Sequence, residues 1–188
     1  MNYFEEELFE QKNYTKYPIE SGEYEECTFI NCNFSECDLS GIEFTNCEFK
    51  DCNLSNVKLN KTVLQEVIFK DCKMIGILFE ACNPFGLSFQ FYHCSLNHSS
   101  FYQQKLKKTI FKNTQLQNVD FTECDLSLSL FDECDFSKAK FERTNLEKAN
   151  FKTSINYIID PENNNVKKAI FSIENIQGLL DKYNIVIH

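Results

Sequence analysis

Ten cysteines and three histidines are the side chains in this 188-residue chain best suited to metal or nucleophilic chemistry. The cysteines are Cys27, Cys32, Cys37, Cys47, Cys52, Cys72, Cys82, Cys94, Cys124 and Cys134; the histidines are His93, His98 and His188. A structural zinc site needs tetrahedral convergence, usually from cysteines two to four residues apart. Here neighbouring cysteines lie five apart, and Cys32, Cys52 and Cys72 are separated by twenty. Disulfides belong chiefly to short exported chains, and the start MNYFEEELFE is acidic where an export signal is basic and then apolar. The thiols therefore read as free, buried and acting as small apolar residues, with no metal and no cofactor expected. No Ser-His-Asp set, Gly-rich phosphate loop or HExxH motif occurs, so no catalytic residue is assigned. Acidic pairs such as Glu133 with Asp135 recur and read as a solvated outer face.

The positions of the cysteines point to the elements that carry them. Stepping by five from Tyr24 gives Phe29, Phe34, Leu39, Phe44, Phe49, Leu54, Leu59, Leu64, Phe69, Met74, Phe79, Pro84 and Phe89. A second row runs Phe91, Leu96, Phe101, Leu106, Phe111, Leu116, Phe121, Leu126, Phe131, Phe136, Phe141, Leu146 and Phe151. Fifteen of the 19 phenylalanines lie on these rows, and every cysteine sits two residues before a row position. A helix advances 100° per residue, so a five-residue step would wind the apolar row around its axis. A straight strand would put successive phenylalanines on opposite faces. Short extended pieces that turn a corner every five residues place all of them inside, which is a solenoid.

The segments CNFSE-CDLSG, VDFTE-CDLSL and TNLEK-ANFKT resemble the pentapeptide-repeat family over residues 22–156. That resemblance implies an all-β fold, a right-handed quadrilateral β-helix with four repeats per twenty-residue coil. Six to seven such coils would make a rod about 30 Å long at ~4.8 Å per coil. Residues 1–21 are expected to cap its N-terminal end. In 157–188, Asp160 to Asn165 reads as a turn. Ser172 would start a short capping helix with Ile173, Ile176, Leu179, Leu180 and Tyr183, and Ile185, Val186 and Ile187 would follow as a strand. Between Phe79 and Phe91 lie two residues too many, so Asn83-Pro84-Phe85-Gly86 should project as a small loop. Loops on rigid scaffolds often carry recognition.

With 43% apolar and 25% charged residues the chain is neither disordered nor membrane-borne, and a cytoplasmic protein is expected. Its net charge of −9 argues against direct nucleic-acid binding, since phosphate contacts require Lys and Arg. Residues 1–26 hold eight Glu against two Lys, so most of the acidity is N-terminal. A narrower resemblance, to the Qnr quinolone-resistance branch, rests on CTFINCNFSECDLSGIEF, the irregular CNPFGLSFQFYHC and the terminal IENIQGLLDKYNIVIH. It implies a non-enzymatic, DNA-mimicking homodimer that binds DNA gyrase or topoisomerase IV and protects it from quinolones. Asn83, Pro84, Phe85 and Gly86 would then be the partner-binding loop, and Ile176, Leu179, Leu180, Ile185 and Ile187 the dimer contact. No second, longer insertion interrupts the rhythm between Leu96 and Phe151. The alternative is a rod-like scaffold for another partner.

Overall fold

The computed structural model describes residues 2–186. Its strands are β1 (Asn2–Glu5), β2 (Leu8–Glu10), β3 (Gly22–Glu25), β4 (Thr28–Ile30), β5 (Glu43–Thr45), β6 (Glu48–Lys50) and β7 (Val63–Gln65). They continue as β8 (Val67–Lys70), β9 (Phe89–Tyr92), β10 (Ile110–Lys112), β11 (Leu130–Asp132), β12 (Asn150–Phe151) and β13 (Ile170–Phe171). All pair in parallel and most match residues twenty apart, such as Phe29 with Phe49 and Phe44 with Leu64. One face is the sheet β1-β3-β5-β7, and the adjoining face is the nine-stranded sheet β13-β12-β11-β10-β9-β8-β6-β4-β2. The chain is a parallel β-solenoid.

Two regular devices close each five-residue side. The second residue after most core centres adopts a left-handed backbone, as at Glu26 (φ 53°), Asn31 (φ 54°) and Lys108 (φ 65°). Such backbone is unfavourable for L-residues, and no β-branched residue takes it here. It is held by rung hydrogen bonds: Glu26 N–H donates to Thr45 O at 2.9 Å and Asn31 N–H to Lys50 O at 3.0 Å. The second device is an Asn or Asp one residue before a centre, whose side chain accepts the amide two residues on. Asn33 with Ser35 (3.1 Å) and Asp125 with Ser127 (3.0 Å) are examples.

The interior is a set of stacked columns. Phe9, Phe29, Phe49, Phe69, Phe91, Phe111, Phe131, Phe151 and Phe171 stack with ring centroids 4.6–5.4 Å apart. Offset stacking of this kind adds roughly 0.5–1.5 kcal/mol per pair beyond burial.

Several expectations are corrected. Residues 1–21 do not form a separate cap: β1 and β2 are rungs of the same solenoid, because Phe4 and Phe9 fill core positions stacked on Tyr24 and Phe29. Likewise β13 continues the path beyond residue 156, so one face has nine rungs rather than six or seven. Phe89 is not a core centre. It pairs with Val67 and takes the flanking slot before Phe91. The α-helix expected after Ser172 is two 3₁₀ turns, Ile176–Leu179 and Asp181–Tyr183. Ser172 Oγ does accept the Asn175 N–H (3.3 Å), but the Gly178 carbonyl turns to the rod and accepts Ile159 N–H at 2.9 Å. Ile185 and Val186 form no strand, and Ile187 lies outside the described residues. Among the described residues, no helix is long and apolar enough to cross a membrane.

Candidate interaction surface

The cysteines sit where their spacing places them, and nine of the ten are buried, with Cys37 half-buried. Burial pushes the thiols of Cys47, Cys82, Cys124 and Cys134 up to about 12, because a thiolate loses its hydration there. Their hydrogen bonds explain why this position favours cysteine over alanine. Cys47 Sγ–H donates to Tyr24 O (3.2 Å), Cys72 to Phe49 O (3.4 Å) and Cys134 to Phe111 O (3.3 Å), each one coil back. Thr62, Ser129 and Ser154 make the same bond to Leu39, Leu106 and Phe131 at 2.8–2.9 Å. At these rungs the slot holds a small donor that satisfies an inward carbonyl, whereas at others, such as Val67, Val119 and Ala149, it is apolar; sequence reasoning missed the donor role. The mixture of Cys, Ser and Thr at that position was the available signal. Among the described residues no group of three or more His, Cys, Asp or Glu is placed to hold a metal ion. His93 and His98 are left-handed corner residues on the outside, and His93 Nδ1 lies 3.6 Å from Asp71 Oδ1.

The surplus residues form a loop on the β1-β3-β5-β7 face, in the rung after β7. Its entry is fixed by Asn83, whose N–H donates to Thr62 O (2.9 Å) and whose Oδ1 accepts Phe85 N–H (3.0 Å). At its exit Ser88 N–H donates to Leu64 O (2.9 Å), and Ser88 Oγ accepts Glu66 N–H (2.8 Å). Gly86 turns the chain with φ of 71°. Between these anchors Pro84, Phe85 and Gly86 are exposed, while Leu87 packs against the core. Phe85 is 86% exposed, the one exposed phenylalanine of the 19. The interior ignores the loop: Phe69 stacks on Phe91 at 5.4 Å and Phe79 on Phe101 at 4.4 Å, across coils of twenty-two residues.

Below the loop this face is acidic. Glu5, Glu6, Glu23, Glu25, Glu26, Glu43 and Glu66 point outward from four successive rungs, and none forms an ion pair among the described residues. Beyond the loop the sign changes, with Lys105, Lys107 and Lys108 exposed beside it. A shallow cleft of about 570 Å³ straddles the change, lined by Glu66, Leu87, Lys105, Lys107 and Lys108 among others. At the tail, Leu179 packs against the solenoid core and Leu180 is half-buried, whereas Ile185 is exposed and Ile176 sits at the margin of exposure. The loop lies at the middle of the rod and the tail at its C-terminal end, so they form no joint site.

A solenoid with five-residue sides, a Phe/Leu interior and small residues before each centre defines a pentapeptide-repeat protein. The profile described as pentapeptide repeat region matches residues 22–90 and 79–151, and the chain belongs to that family. No curated protein matches it in sequence. Among solved structures it is similar to a trypsin-treated form of QnrB1, a plasmid-mediated fluoroquinolone resistance protein. That match has 16% identity and a TM-score of 0.49, with all of both chains covered. It is also similar to HetL, a pentapeptide-repeat protein involved in heterocyst differentiation regulation from the cyanobacterium Nostoc sp. strain PCC 7120. Identity there is 13% and the TM-score 0.49, over 91% of this chain and 86% of that one.

Proposed function

We propose that this protein is a non-enzymatic binding rod that competes with duplex DNA for a basic surface of DNA gyrase or topoisomerase IV. The observation that carries the reading is the unpaired glutamate array on the β1-β3-β5-β7 face, ending at the projecting Phe85. Seven carboxylates on four rungs amount to about one charge per 2–3 Å of rod, against about 1.7 Å for duplex DNA. Such an array steers a rod toward a cationic saddle, and an exposed aromatic side chain on a pinned loop supplies an anchor. QnrB1, by its description, confers fluoroquinolone resistance, and quinolone protection is the corresponding outcome here. The homodimer and the cytoplasmic setting belong to the same reading. At the tail, Ile173, Ile176 and Ile185 are the apolar residues left outward for a second copy, since Leu179 is turned onto the rod's own core.

Purified gyrase tests this directly. The protein is expected to relieve quinolone-induced DNA cleavage and to compete with DNA for the enzyme. Glu23→Lys/Glu25→Lys/Glu26→Lys should lose both effects, and Phe85→Ala should weaken them. Unchanged cleavage and unchanged DNA affinity with the folded wild-type rod would overturn the reading. A second reading, a scaffold for another protein partner, is favoured by one observation: the lysines beyond the loop confine the negative stripe to half of the face.

A further inference from the structure

The edge between the two sheets is a ridge built from the left-handed corner residues, one per rung. On the N-terminal side of the loop these are Glu6, Glu26, Asn46 and Glu66; on the C-terminal side they are Lys108, Leu128, Lys148 and Lys168. All eight are exposed. Four rungs lie on each side, and the loop residues around Leu87 occupy the midpoint. Three of the four positions are acidic on one side and three basic on the other. The single non-acidic position, Asn46, is the same number of rungs from the loop as the single non-basic one, Leu128. Within one rod this arrangement is unfavourable, since like charges stack on neighbouring rungs about 5 Å apart. Among the described residues only Lys148 of these six charged residues has an ion pair, a local one with Glu147 at 3.7 Å.

We propose that a second copy of this chain docks antiparallel along this ridge, about a two-fold axis through the Asn83–Ser88 loop. Reversing a copy about that axis sets Glu66 opposite Lys108, Asn46 opposite Leu128, Glu26 opposite Lys148 and Glu6 opposite Lys168. Symmetry makes each charged pair occur twice, giving six in all, with no like-charge pair on the ridge. The neighbouring columns restrict the contact to the edge. Lys167 would meet Glu5, but Glu147 would meet Glu25 and Asp125 would meet Glu43, so the flat faces repel where the ridge attracts. At the axis the two Phe85 side chains come together with the apolar wall of the cleft, Leu87, and supply the desolvated centre that a rim of exposed ion pairs lacks. The contact is narrow and mainly electrostatic, so it is weak and sensitive to salt. It differs from a tail-to-tail contact in the residues it uses, and it stands whether or not a topoisomerase is the partner.

Sedimentation of the full-length protein carrying Ile176→Asp/Ile185→Asp, which removes the tail contact, tests the arrangement at a concentration on the order of 100 μM. The rod should dimerise at about 50 mM salt, and its dissociation constant should rise at least about tenfold at about 500 mM. Lys108→Glu/Lys148→Glu/Lys168→Glu, which makes the ridge wholly acidic, should be monomeric. Glu6→Lys/Glu26→Lys/Glu66→Lys, wholly basic, should be monomeric too. Mixed in equal amounts, the two variants should form a heterodimer, because the same six opposite-charge pairs are then restored across the ridge. Both substitutions place at corners residue types that other corners already hold, such as Lys61, Lys138, Glu36 and Glu123, so the variants keep the fold, and circular dichroism checks it. A monomer at low salt, or mixed variants that stay apart, would overturn the proposal. So would a dimer that survives both triples in this background.

Discussion

Phe111→Ala tests the claim that the stacked aromatic column holds the rod together. Phe111 is fully buried, with Phe91 and Phe131 stacked on its two faces at 5.1 and 5.0 Å and Phe101 and Phe121 edge-on at 6.1 and 6.2 Å. Truncation removes a ring from a site whose walls are β-rungs fixed by backbone hydrogen bonds, so the cavity cannot collapse. Burial and cavity terms give about 3–5 kcal/mol for a Phe-to-Ala change. With two stacked partners on flanking rungs, the expected loss is at the upper end, about 4–5 kcal/mol. For a chain of this length that corresponds to a fall in melting temperature of about 10 °C. Phe85→Ala is the matched control: the same chemical change at an exposed side chain should stay within about 0.5 kcal/mol. Urea unfolding followed by far-ultraviolet circular dichroism reads both. The urea midpoint is the safer readout, because rungs interact mainly with their neighbours and a weakened centre can let the two halves unfold separately. A loss below about 1 kcal/mol at Phe111, or equal losses at Phe111 and Phe85, would refute the reasoning.

Three further outcomes follow from the core and the tail. Alkylation of the native protein at pH 8 should label at most Cys37, while all ten thiols react in denaturant; labelling of Cys47 or Cys134 in the native state would contradict their burial. The same thiols set an alkaline limit: Cys47, Cys82, Cys124 and Cys134 ionise near 9 when unfolded but only at about 12 when folded. The folded state therefore keeps more protons in this window, and stability present below pH 9 should fall as pH rises from 9 toward 12, by up to about 1.4 kcal/mol per thiol per pH unit. At the tail, a Cβ on Gly178 would clash with the Tyr157 carbonyl oxygen. Gly178→Ala should displace the two 3₁₀ turns from the rod, seen as loss of amide-exchange protection at Ile159 while the rungs around Phe111 keep theirs.

Periodicity carried most of the fold because the solenoid is determined locally: each five-residue side needs one large apolar residue and one small neighbour, and each coil repeats the last. The two flanks were harder to read. Phe4, Phe9 and Phe171 obey the same geometry, but the residues around them do not follow the repeat, so only rung pairing reveals them. Phe89 fell five residues after Pro84 by coincidence, since an insertion shifts the register and a spacing rule cannot say where the extra residues go. The tail misled for a different reason. Ile173, Ile176, Leu179 and Leu180 have helical spacing, yet the last coil offers hydrogen-bonding groups that compete for the backbone, and Gly178 meets them. The loop was legible from Pro84 and Gly86. The reversal of charge across it was not, because Glu66 and Lys108 come to flank the loop on one ridge only after the chain has gone round twice.

The loop sits where these features meet. A rod whose interior columns run unbroken past an insertion can vary its surface there without cost to its core, which is why a residue as apolar as Phe85 can remain in solvent. Its neighbours give it two competing uses. The glutamate array below it attracts a cationic surface, and the lysines above it attract the glutamates of a second copy. Both contacts cover Phe85 and both draw on Glu26 and Glu66, so one rod cannot make them together. Free protein would then be held as a weak dimer, and a basic partner would have to displace one copy from the other. The salt dependence of self-association and of partner binding would run in the same direction, but the lysine-to-glutamate ridge variant separates them: it abolishes the first and leaves the acidic array intact for the second.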